Sequence, residues 1–123
     1  ITRTFQPVPV TAAEKDTAVA ELNRGGFVQQ GGVVDPSRIP ATKPPFGSMH
    51  LDDLGYLWTQ RTLAAGTGGA SFDVFDPSGR FLGTVTSAVP LTWPILVRVT
   101  AVYAVTNDDD GFPSVVRLRI RGR

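Results

Sequence analysis

From Ser48 onward apolar and polar residues alternate with a period of two, and in the first 47 residues only Ile1 to Phe5 shows such alternation. Successive side chains point to opposite faces of a strand, so a period of two marks strands with one face buried. The pattern predicts strands over about 48–52, 56–62, 71–75, 80–86, 95–106 and 114–121, separated by turn sequences. In Phe72-Asp73-Val74-Phe75 and in Arg80 to Val85 the aromatic and β-branched content favours strand over helix. Between them, Asp76-Pro77-Ser78-Gly79 fits a type I turn, with Pro at its second position and Gly taking positive φ. In the last strand Val116, Leu118 and Ile120 share one face, and Arg117, Arg119 and Arg121 share the other.

The first 47 residues read differently. Ile1 to Phe5 resembles the end of a strand, and Pro7-Val8-Pro9 is stiff and extended because proline fixes φ. Thr11-Ala12-Ala13-Glu14 is a capping box that opens one short helix near 12–23, with Gly25 as its left-handed stop. The helix's apolar stripe, Ala12, Val19 and Leu22 with Ala18 beside it, is narrow, so three turns must dock on something larger. A long Pro/Gly-rich connector follows over residues 25–47, and Phe27, Ile39 and Phe46 would pin it to a sheet or a partner. The division is therefore 1–47, holding strand end, helix and connector, and 48–123, an antiparallel β region. The fold class is all-β.

Composition narrows the chemistry. Thirteen Gly and 10 Pro among 123 residues mean many turns and few long helices. A net charge of +1 supplies no global field for nucleic acid or an anionic membrane. The absence of cysteine excludes disulfides and thiolate chemistry but does not set the compartment. Pro, Gly or a charge interrupts every apolar run before membrane-spanning length, so no transmembrane segment is expected. The chain opens on Ile1, as a removed signal sequence, a processed precursor or a truncated chain each would.

Asp52-Asp53-Leu54-Gly55-Tyr56-Leu57-Trp58 aligns with Asp108-Asp109-Asp110-Gly111-Phe112-Pro113-Ser114 at an offset of 56 residues. That offset is near the size of a four-stranded propeller blade, although shared turn chemistry alone also produces such matches. These stretches, with Phe72 to Val85 and the terminal Val102–Ile120 region, resemble the C-terminal part of bacterial six-bladed NHL-like β-propellers. The resemblance implies sheets of propeller-blade type, a blade over 48–86 and a partial blade over 95–121, and a periplasmic or secreted setting. Such propellers need roughly two to three hundred residues, so about two blades are present here. The unpaired edges must then be met by missing blades, a partner chain, the helix and connector, or self-association.

Candidate chemistry is sparse. His50 is the single histidine, read as a strand-surface residue, and no nucleophile and base pair is visible, so no catalytic residue is assigned. Asn107, Asp108, Asp109 and Asp110 gather hard oxygen ligands of the kind calcium prefers, but without EF-hand spacing or a distal Glu. A solvated hairpin tip explains them equally, as it does Asp52 and Asp53, and no metal or cofactor is expected. Arg117, Arg119 and Arg121, about 7 Å apart along one face, form the clearest charge pattern. Arg98 is expected beside them on the paired strand, and Arg123 beyond. Such a stripe could meet carboxylates of a partner or lipid phosphates, or could merely blunt edge-to-edge aggregation. No aromatic platform interleaves with it, which argues against nucleic acid. Trp58 and Trp93 read as core or interface anchors.

The expectation is a non-catalytic, propeller-derived protein-interaction module outside the cytoplasm. Two alternatives stand beside it. One is a structural accessory subunit on the outer face of a membrane-embedded respiratory or photosynthetic complex. The other is a fragment of a propeller enzyme, a lyase or lactonase, whose funnel would need the absent blades.

Overall fold

The computed structural model describes residues 3–122, apart from the side chain of Phe27, which therefore lies outside the described set as a connector anchor. The described residues form two compact units: Gln6–Pro44, and residues 3–5 together with 45–122.

In the smaller unit, α1 spans Ala12–Arg24 behind the capping box: Thr11 Oγ1 accepts from the Glu14 amide at 3.2 Å and Glu14 Oε2 accepts from the Thr11 amide at 2.9 Å. Gly25 does not supply a left-handed stop. Its φ is −75° and its ψ 163°, so the chain leaves the helix extended and enters a second short turn, α2 (Gly26–Gln29). Positive φ comes later, at Gly31. No residue of α1 is buried. The connector folds back on the segment before the helix: Pro9 and Thr42 form an antiparallel bridge, and Lys43 pairs with Glu14. A single 3-10 turn, Pro36–Arg38, lies between, and Ile39 is half-buried.

The larger unit is all-β. A four-stranded antiparallel meander contains β1 (Phe46–Leu51), β2 (Leu57–Arg61), β3 (Ala70–Phe75) and β4 (Phe81–Ser87), in that spatial order. A three-stranded meander contains β5 (Thr92–Val97), β6 (Ala101–Asn107) and β7 (Pro113–Arg119). Phe46 thus belongs to β1 rather than to the connector. The span 95–106 is two strands, not one, joined by a turn in which the Arg98 amide donates to the Ala101 carbonyl at 2.8 Å. β5 also begins before Pro94, because an edge strand tolerates a residue without an N–H.

One core joins the two sheets. Trp58, Ala70, Phe72 and Val74 from the first pack against Leu91, Val97, Val102 and Ala104 from the second. Val85, Val116, Leu118 and Ile120 are partly buried against it, so the alternation in β7 points its apolar side inward as expected. β1 and β5 touch at one side of the sandwich. β4 and β7 are sheet edges.

Three of the turns are chemically alike. Asp52, Asp76 and Asp108 each accept the amides two and four residues on through Oδ1, and each fourth residue, Gly55, Gly79 and Gly111, has φ near +80°. A side chain at those glycines would strain that φ. The 56-residue match therefore joins the first hairpin of one sheet to the last hairpin of the other. The same turn at Asp76 stands outside that spacing, so turn chemistry accounts for the match.

Candidate interaction surface

The hydrogen-bond phase of β7 follows from its two ends. The Asp108 amide donates to the Phe112 carbonyl at 3.0 Å, and the Ile120 amide donates to the Thr100 carbonyl at 2.9 Å. Bonded and non-bonded pairs alternate along an antiparallel ladder, and the register from Ala101↔Arg119 to Asn107↔Pro113 is unbroken. Residues 114, 116 and 118 thus bond to β6, and residues 113, 115, 117 and 119 direct their backbone groups to the outer edge. Pro113, which lacks an N–H, falls on the edge-facing set, where it leaves no ladder bond unmade.

The arginines share that phase. Arg117 and Arg119 are exposed on the outer face of the sheet, opposite Tyr103 and Ala101. Arg117 Nε donates to the Tyr103 hydroxyl at 3.1 Å, with its guanidinium 5.9 Å from the ring centroid. Arg121 continues the exposed row. Among the described residues no carboxylate lies within ion-pair distance of these three. Arg98 is not on the strand paired to β7; it occupies the β5–β6 turn. Arg123 lies outside the described residues.

Beside this edge, a groove of about 750 Å³ runs between β4 and the end of β7, lined by Val85, Val102, Leu118 and Ile120 with Arg119 and Arg121. A smaller adjoining pocket of about 270 Å³ reaches Trp58 and Val74. The outer face of the three-stranded sheet adds Leu96, Tyr103 and Val115, exposed by 47%, 37% and 78%. Sequence alternation found the arginines but not Tyr103, whose position opposite Arg117 depends on the register between β6 and β7.

Asp52 and Asp108 among the other candidates hold their turns. Asp108 is occupied by its turn amides, while Asp109 and Asp110 are exposed. No group of three His, Cys, Asp or Glu among the described residues is placed to hold a metal ion. Asp52 is no solvated tip: it is 7% exposed, and its Oδ2 accepts the Trp58 indole N–H at 3.2 Å. Trp58 is buried, whereas Trp93 is 80% exposed.

His50 faces the interior, opposite buried Trp58 and edge-on to Phe72 at 6.4 Å. Burial pushes its pKa down. Its Nε2 lies 2.8 Å from Ser48 Oγ, which donates its one proton to Gln60 Oε1 at 2.9 Å. With Ser48 donating to Gln60, the tautomer protonated at Nε2 is the one that lets His50 donate to Ser48 Oγ.

Asp73, on the outer face of the first sheet, is 7% exposed; it accepts from Thr84 Oγ1 at 2.7 Å and from Arg3 Nε at 2.5 Å. Arg3 also stacks over Phe81 at 4.1 Å. Residues 3–5 form no strand, residues 1 and 2 of the expected strand end lie outside the described residues, and that reading missed this contact, which joins side chains 70 positions apart. No helix of the described residues is long and apolar enough to cross a membrane. Family models, curated proteins and solved structures were compared with the chain, and none matches.

Proposed function

We propose that the chain is a non-catalytic protein-interaction module, and that its two meanders are propeller-blade-like sheets presenting an open edge to a partner. The observation that carries this reading is the groove of about 750 Å³ between edge strands β4 and β7, where Val85, Leu91, Leu118 and Ile120 alternate with Thr84, Thr86 and Ser87 and Arg119 and Arg121 stand at the border. Unpaired edges offer backbone hydrogen bonds, and a groove beside them offers apolar burial. The blade-like reading is supported by the four-strand meander and by the contact between β1 and β5, the first strands of the two sheets. The periplasmic or secreted setting rests on the sequence resemblance alone.

A photo-crosslinking residue at Arg119 or Thr86, introduced into the protein in its native host, tests the reading. Capture of a protein chain of defined mass from these sites, and not from the exposed Leu54, is expected. Equal capture from all three positions, or none from any, would overturn it.

A further inference from the structure

We infer that the partner of the β7 edge is a second copy of this chain, joined antiparallel, β7 to β7, about a two-fold axis at Val115. This choice of partner rests on the protein-binding reading of the same edge. Charge along β7 is polarised. The exposed carboxylates Asp109 and Asp110 stand in the turn at its start, and the exposed Arg119 and Arg121 at its end. None of the four has an ion-pair partner among the described residues.

An antiparallel second copy brings each cluster beside its opposite. With Val115 facing its own mate, the turn at residues 109–111 of each copy lies at the same end of the new strand pair as Arg119 and Arg121 of the other. A parallel copy would set arginine against arginine, and centring on Arg117 would place like charges face to face; both are repelled. The hydrogen-bond phase agrees. Residues 113, 115 and 117 already direct their backbone groups outward, so the second strand adds a short ladder, Val115 to Val115 and each Arg117 amide to a Pro113 carbonyl, without disturbing the first, and Pro113 itself donates nothing to it. Val115, 78% exposed in the single chain, is covered at the axis. The two three-stranded sheets become one continuous sheet, and an isologous contact of this kind closes on itself rather than growing into fibres.

Sedimentation equilibrium of the 123-residue chain across concentration and salt tests the inference. Wild type is expected to dimerise, more weakly at high salt. Val115→Pro removes an edge N–H that β6 does not use, and should weaken dimerisation by about tenfold or more with the circular-dichroism spectrum retained. Should proline disturb the fold, the charges decide. The double variant Arg119→Asp/Arg121→Asp and the double variant Asp109→Arg/Asp110→Arg should each be monomeric alone and should form a mixed dimer when combined. A wild type that is monomeric at every concentration, or charge-reversed chains that do not recombine, would overturn the second-copy pairing. If Arg119 then still captures a different chain in the native host, the protein-binding reading survives; if it captures none, both fail.

Discussion

Arg117 lies across the β6–β7 ladder from Tyr103, and its Nε donates to the phenol oxygen at 3.1 Å. That bond fixes one arginine of the row on its own sheet and leaves Arg119 and Arg121 extended beyond it. The three positions should therefore behave differently. Tyr103→Phe removes an exposed acceptor and should cost about 0.5 kcal/mol of stability. Arg119→Gln should change stability by no more than about 0.5 kcal/mol, yet weaken association about tenfold and flatten its salt dependence. Urea titrations and binding across a salt series separate the two effects.

The aspartates that open the turns should also separate. Asp52 accepts two backbone amides and the buried Trp58 indole, so Asp52→Ala is expected to cost about 2–4 kcal/mol. Asp108 holds only its exposed turn, and Asp108→Ala should cost about 1 kcal/mol. Asp109→Ala should lie within about 0.5 kcal/mol of wild type, and calcium should raise the melting temperature of neither. Chemical denaturation of the three variants checks the order.

Arg3 is expected to matter more than its place near the chain's start suggests. Its side chain is 28% exposed and faces a carboxylate that is 10% exposed. Without Arg3, Asp73 keeps the Thr84 hydroxyl and Arg61 at 4.0 Å but loses its charge-assisted bond, and Phe81 loses the stacked guanidinium, so Arg3→Ala should destabilise by about 1 kcal/mol. Arg80→Ala, at a pair whose arginine is 76% exposed, should cost only a few tenths, about 0.3 kcal/mol. Melting temperatures of the two variants compare them directly.

His50 gives the fold a pH dependence in the near-neutral range. Burial holds its pKa below the ordinary 6.5, so the unfolded chain takes up the proton first. Stability is then complete above about pH 6.5 and falls as the pH drops from there towards the lowered folded value. Glu14, Asp35 and Asp76 are also lowered, chiefly by hydrogen bonds from Lys43, Ser37 and Ser78 respectively, but they act only in more acid solution. Wild-type melting temperature should decline between about pH 7.5 and about pH 5, and His50→Gln should flatten the decline. A parallel decline in both proteins would remove His50 as its source.

The strands were legible in the sequence where alternation and turn residues coincided. Asp76 to Gly79 and Asp108 to Gly111 announce their hairpins, and Val116 to Ile120 announces its buried face. Arg98-Val99-Thr100 carries no Gly, Pro, Asn or Asp, so the turn between β5 and β6 was invisible and two strands read as one. Helix α1 followed from its capping box, but Gly25 did not reveal its φ, because glycine is also at ease in extended backbone. The arginine row was legible as a period. Its tie to Tyr103, the bond between Asp52 and Trp58, and the inward aim of His50 depend on registers between strands, which a single period does not contain.

Residue-resolved amide exchange along β7 tests the interaction edge most directly. In the dissociated chain Val116, Leu118 and Ile120 should be protected, while Val115, Arg117 and Arg119 exchange freely. In the assembled protein Val115 and Arg117 should become protected as well. Continued rapid exchange of Val115 and Arg117 in the assembled state would contradict the assignment of β7 as the binding edge.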